Sequence, residues 1–231
     1  MIPFLKISLC ITAIVAITKA DAQQNVNGNT RPASLEAITI KGELATRIEK
    51  NFDRVENLYQ PDYIFKSKNA VTWPGDAEGR AILALVLDAR ALKRTPRYLD
   101  EIIAELPKHL NKQGYFGPVY DGAMNEQQLS GNGWVLRGLC AYYEWKHDQK
   151  VLAMIKDIVN NLFLKGEGKY KIYPIDPAKR KKDEGQVIGS IVKSDGQWII
   201  SSDTGCVLIG MDGLINAYKL MPNPKIKEVI D

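Results

Sequence analysis

The sequence predicts an all-α fold in which helical hairpins make up about half of an (α/α)6 toroid. Three observations point there. First, apolar residues recur at i, i+3, i+7 in three separated segments: Ile82, Leu85 and Ala89; Leu136, Leu139 and Tyr143; Leu208, Met211 and Ile215. That spacing is one face of a helix. Second, the three stripes are offset by 54 and 72 residues, and small residues recur at equivalent places, Ala84, Gly138 and Gly210. Recurrence of one pattern along a chain is the mark of a stacked repeat, and small residues let stacked helices approach. Third, each stripe is followed by another helical face. Leu99, Ile102, Ile103 and Leu106 form one, and Ile155, Ile158, Val159 and Leu162 form the next. Ile226, Val229 and Ile230 begin a third.

Taken from the N-terminus, residues 1–22 read as a signal peptide. Lys6 supplies a positive start, Ile7 to Ile17 an apolar run too short to span a membrane comfortably, and Ala20-Asp21-Ala22 a cleavage site. The chain is therefore expected to be exported, to the periplasm or the extracellular space, with no membrane attachment after cleavage. Residues 23–34 are polar and read as a flexible leader. The toroid segment is expected over 35–231. A first helix covers about Lys41 to Leu58. The next three inner helices are expected to start near Ala77, Gly133 and Thr204, with turns at Lys93 to Thr95, His147 to Asp148 and Met221 to Asn223. Six such hairpins at ~60 residues each need ~360 residues. This chain has 231, so it is expected to be the N-terminal part of a larger, truncated catalytic domain, inactive by itself.

Composition excludes several classes. The chain is 45% apolar and 25% charged, ordinary for a globular protein. A net charge of +4 is too small and too scattered for a nucleic-acid partner. No zinc-finger, redox dithiol, serine-hydrolase, dinucleotide or P-loop signature is present. Cys140 and Cys206 read as small buried apolar residues. His109 and His147 read as helix-end residues, favoured there by the helix dipole.

The long connections, Asn111 to Ser130 and Lys165 to Asp203, fall at the end where inner helices begin, and functional residues are sought there. In Trp73-Pro74-Gly75-Asp76-Ala77-Glu78-Gly79-Arg80, Asp76 is an N-cap candidate. Trp73, Asp76 and Arg80 could also form a pocket rim, with an apolar ring face for a sugar and charged groups for its hydroxyls. Tyr115, between Gly114 and Phe116, either belongs to a loop pinned by burial of Phe116 or presents its hydroxyl to a ligand. The stretch Met124 to Trp134 is dense in amides. Gln127, Asn132 and Trp134 are substrate-binding candidates, because amides offer donors and acceptors to a neutral polyol; the competing reading is a solvated loop with Asn132 capping the helix. Glu126 and Asp203 are the candidates for proton transfer. Helix N-termini meeting in one region also favour an acidic sugar. The basic run Ala178 to Glu184 reads as a solvated loop, with docking of an acidic polysaccharide as the alternative.

Trp73-Pro74-Gly75-Asp76, then Gly114-Tyr115-Phe116, then Gly133-Trp134-Val135-Leu136-Arg137-Gly138-Leu139-Cys140-Ala141-Tyr142-Tyr143-Glu144 resemble the N-terminal half of the β-L-arabinofuranosidase-like glycoside hydrolases, glycoside hydrolase family 127 and relatives. The resemblance implies an (α/α)6 catalytic toroid that removes a terminal sugar, L-arabinofuranose-like or another uncommon pectin sugar, from plant oligosaccharides or polysaccharides. It implies zinc held by Cys and Glu ligands in later hairpins. No metal ligand or cofactor is therefore assigned within this chain, and zinc is expected only of a full-length protein. Two alternatives stand beside the hydrolase: a non-catalytic helical-repeat carbohydrate-binding protein, and an α/α-toroid polysaccharide lyase using Tyr115 and Arg80.

Overall fold

The computed structural model describes residues 33–66, 73–176, 180, 192–193, 197–200 and 205–231. These are mostly helical. The α-helices are α1 (Glu43–Leu58), α2 (Pro61–Ile64), α3 (Asp76–Leu92), α4 (Leu99–Glu105), α5 (Glu126–Lys146), α6 (Gln149–Ile158), α7 (Gly205–Leu220) and α8 (Pro224–Ile230). A π-turn, Val159–Phe163, prolongs α6, and short 3-10 turns follow at Leu164–Gly166 and Tyr170–Ile172. A three-stranded sheet is built from β1 (Met124–Asn125), β2 (Val192–Lys193) and β3 (Trp198–Ile200). The central strand β3 pairs parallel with β1, Met124 opposite Trp198, and antiparallel with β2, Val192 opposite Ile200.

The three long helices α3, α5 and α7 pack side by side, with α5 in the middle. A methyl group on Gly79 would lie 2.2 Å from the backbone carbon of Trp134, and one on Gly213 would lie 2.4 Å from the Gly133 carbonyl. These contacts are backbone to backbone, so only glycine allows them. They also set direction. Gly131 meets Pro74, Gly79 meets Trp134 and Gly138 meets Ile82, so α3 and α5 run parallel. Gly210 meets Leu129, and Arg137 meets Asp212, so α5 and α7 run parallel too.

Parallel neighbours need a return segment. The turns Lys93 and His147, both at positive φ, close α3 and α5. The segment containing α4 then runs back: Tyr142, near the C-terminal end of α5, donates to Asp100 at the start of α4, while Phe116 further on reaches Asn132 and Gln128 near the start of α5. Likewise α6 starts beside Tyr143 and its extension carries Asn161 to Gln113. The core lies between the long row and these returns. It includes Ile82, Leu85, Ile102, Leu106, Leu136, Leu139, Ile155, Ile158 and Phe163, and the two return faces expected from sequence are buried in full. Residues Ile38–Asp231 form one compact unit.

Three expectations are corrected. Helix α5 starts at Glu126, not Gly133, because Asn125 caps it: the Asn125 side chain accepts the N–H groups of Gln127 and Gln128 at 2.9 and 3.1 Å. Asn132, expected as the cap, is therefore deep in the second turn. In α3 the N-cap is Gly75 in the left-handed conformation, with φ of 90°. Asp76 is the first helical residue and pairs with Arg80 instead of capping. In α7 the buried face is Cys206, Val207, Gly210, Gly213, Leu214 and Ala217, whereas Leu208 is 71% exposed and Met211 and Ile215 are only half-buried. Close approach to α5 selects the small side chains, and the bulkier stripe is turned away.

Candidate functional site

The segments that gather at the N-terminal end of α5 are the loop 111–123, the small sheet and the turns after α6. Aromatic and amide side chains hold them there. Trp198 is buried, donates its indole N–H to the Lys169 carbonyl at 3.0 Å, and meets Tyr170 and Tyr173 edge-on at 5.8 and 4.8 Å. Asn132 pairs with the backbone of Phe116 in both directions: its Oδ1 accepts the Phe116 N–H at 3.0 Å and its Nδ2 donates to the Phe116 carbonyl at 3.1 Å. Gln128 adds bonds from Nε2 to the carbonyls of Phe116 and Pro118, at 2.9 and 2.8 Å. These amides substitute for a neighbouring strand. They satisfy backbone groups that burial would otherwise leave without partners.

This loop and the turns enclose a cleft of about 400 Å³. That lies within the usual range for small-ligand sites. Tyr115, Tyr120, Asn125, Gln128, Asn161, Lys165 and Lys169 line it, together with Asp121, the one carboxylate among the described residues that line it. Tyr115 is 3% exposed and its hydroxyl donates to Gln113 at 3.3 Å. Burial pushes the Tyr115 hydroxyl above the ordinary phenol value, so it remains a proton donor at neutral pH. The Tyr120 hydroxyl accepts from Asn125 at 3.1 Å, which leaves its own hydrogen available.

The other expected site residues are divided among three places. Glu126 is fully buried. Its carboxylate takes two bonds from one Arg180 nitrogen, at 2.6 and 2.9 Å, and one from the Tyr173 hydroxyl at 2.6 Å. Arg180 also donates to the Tyr173 oxygen at 2.9 Å. Burial and the Glu126 carboxylate push the Tyr173 hydroxyl well above its usual value. This arrangement gives Glu126 a cation and a hydroxyl in place of water, so it acts as a tie between α5 and the segment carrying Arg180. The expectation of a wholly solvated basic run is corrected at Arg180, whose side chain is only 2% exposed. Gln127 and Asn132 are equally inward, at 1% and 0% exposure, and neither lines the cleft.

Trp134, Arg80 and Asp76 do come together, but on a different face. Arg80 and Arg137 sit over the Trp134 ring at 4.1 and 4.4 Å, and they pair with Asp76 at 2.8 Å and Asp212 at 3.0 Å. The guanidinium groups thus cover the ring of Trp134, one of the expected substrate-binding side chains. Trp73 is half-buried just before α3, where its carbonyl accepts the Asp76 N–H at 3.1 Å. Asp203 lies outside the described residues.

Glu78 is not among the residues expected at the site. It sits in the first turn of α3 and is 4% exposed, and burial, with Asp76 nearby, pushes its carboxyl up to about 6. Its only sequence signal is its place two residues beyond Asp76. Among the described residues no three His, Cys, Asp or Glu side chains form a metal-holding group. Cys140 and Cys206 are both buried, on α5 and α7, and burial pushes the Cys140 thiol up to about 12, far from the thiolate a metal requires. Among the described residues no helix is long and apolar enough to cross a membrane.

With this geometry in place, comparison with known proteins adds no relative: no family model, no curated protein and no solved structure matches the chain.

Proposed function

We propose that this chain is part of an exported glycoside hydrolase of the α/α-toroid type, and that the cleft beneath the 111–123 loop holds a plant cell-wall sugar. The cleft is the observation that carries the reading. It combines aromatic walls, Tyr115 and Tyr120, with amide donors and acceptors and few charges, which suits sugar rings edged with hydroxyls. The parallel row of α3, α5 and α7, with return segments after α3 and α5, supports the toroid: inner helices of such a fold all run one way. A terminal, uncommon pectin sugar remains the proposed substrate on the strength of the family resemblance alone.

One observation favours a second reading, a non-catalytic carbohydrate-binding protein. Glycosidases commonly use two carboxyls flanking the scissile bond, and Asp121 is the single carboxylate lining this cleft among the described residues. Affinity electrophoresis tests both readings. The mature chain is expected to be retarded in gels containing arabinan or rhamnogalacturonan and not in gels without glycan, and Tyr115→Ala is expected to abolish the retardation. Equal mobility in every gel refutes carbohydrate binding. Release of reducing sugar from the retained glycan separates hydrolase from binding protein.

A further inference from the structure

The charges of the same cleft discriminate between classes of sugar. Among the described residues its charged lining side chains are Lys165, Lys169 and Asp121, an excess of one positive charge. Lys165 donates to the side-chain oxygen of Gln113 at 2.9 Å, and Lys169 donates to the Gly122 carbonyl. Both acceptors are neutral. Among the described residues neither lysine has a carboxylate within ion-pair distance, although Arg47, Arg80, Arg94, Arg97, Lys108, Arg137 and Arg180 each have one. An ammonium group has three donors, and each of these uses one on the protein.

The two lysines are also held in place. Lys165 lies in the 3-10 turn that follows the extension of α6, where Asn161 is tied to Gln113 at 2.7 Å, and the carbonyl of Lys169 takes the Trp198 indole N–H. Two oriented cations without ionic partners among the described residues, next to aromatic walls and amides, form a receptor for an anionic sugar.

We infer that this cleft takes an acidic sugar, a uronate of a pectic chain, with its carboxylate between Lys165 and Lys169 and its hydroxyls toward Tyr115, Tyr120 and the amides. This inference rests on the carbohydrate reading of the cleft and narrows it. A carboxylate there replaces neutral acceptors with charged ones, and charge-assisted hydrogen bonds are the stronger kind.

Isothermal titration of the whole mature chain tests it with two probes of equal length, trigalacturonate and galactotriose. Trigalacturonate is expected to bind at least about fivefold tighter, and the preference is expected to shrink in high salt. The double variant Lys165→Gln, Lys169→Gln is expected to lose that preference and to bind the two probes equally. Both lysines are at the surface of turns, so circular dichroism is expected to be unchanged. Binding of galactotriose with equal or better affinity overturns the acidic-sugar inference and leaves the carbohydrate reading standing. An undiminished preference in the double variant overturns the role of the lysines. Binding of neither probe overturns both readings. Trimethyl-esterified trigalacturonate, bound as weakly as galactotriose, separates the carboxylate from the rest of the sugar; if it binds as tightly as the acid, the inference falls.

Discussion

Replacing Glu78 with glutamine is expected to stabilise the protein at neutral pH and to do nothing in acid. Glu78 is almost wholly buried in the first turn of α3, and its carboxyl is pushed from 4.5 up to about 6. Burial is the main cause, its own backbone N–H offsets part of it, and the Asp76 carboxylate raises it further. The folded state thus holds the Glu78 proton more tightly than the unfolded chain does. The resulting stabilisation is complete below pH 4.5 and is lost as pH rises through about 6. At about 1.4 kcal/mol per pH unit, the buried carboxylate costs about 2 kcal/mol at pH 7.5. Glutamine has nearly the same shape and no charge. Urea denaturation of wild type and Glu78→Gln at pH 7.5 and pH 4 measures the effect. The variant is expected to be about 2 kcal/mol more stable at pH 7.5, with the difference vanishing at pH 4. An equal difference at both pH values, or a less stable variant at pH 7.5, would refute the desolvation argument.

Other substitutions test the remaining contacts. Arg180→Ala leaves Glu126 charged without its cation in a fully buried place, and is expected to cost about 3–5 kcal/mol in denaturant titration; a change below about 1 kcal/mol would mean the pair is solvated. On α7, Leu214→Ala is expected to cost about 2–5 kcal/mol and Leu208→Ala less than about 0.5 kcal/mol, so the opposite order would restore the stripe read from sequence. Gly79→Ala drives a methyl group into the Trp134 backbone and is expected to cost about 3 kcal/mol or more, seen as a fall in Tm; an unchanged Tm would contradict the close α3–α5 crossing.

Helix existence was legible wherever burial and apolarity coincide. Ile82, Leu85, Leu136, Leu139 and the two return faces carry their periodicity openly, and all are buried. The start of α5 was not legible. Glu126, Gln127, Gln128, Ser130 and Asn132 are polar yet buried, because several of them bond to segments far away in sequence. A pattern of hydrophobicity has no way to show that. The α7 face misled for the opposite reason: the residues that touch α5 are chosen for smallness, and glycine gives no hydrophobic signal.

Of the candidate site, Tyr115 was legible because glycines flank a pair of aromatics. Lys165, Lys169, Tyr120 and Asn161 were not, since they join the cleft from two segments about 40 residues apart that carry no shared motif. The Glu126–Arg180 tie spans 54 positions. One clue was present: a carboxylate at a helix start within an otherwise uncharged stretch needs a cation from elsewhere if it is buried.

A crystal structure of the protein soaked in a pectic oligosaccharide shows whether the cleft holds a sugar. A sugar ring is expected in the cleft beneath the 111–123 loop, within hydrogen-bond distance of Tyr115 or Tyr120 and of at least one of the lining amides. A sugar seated instead on the Trp134 face, or an empty cleft at saturating oligosaccharide, would contradict it.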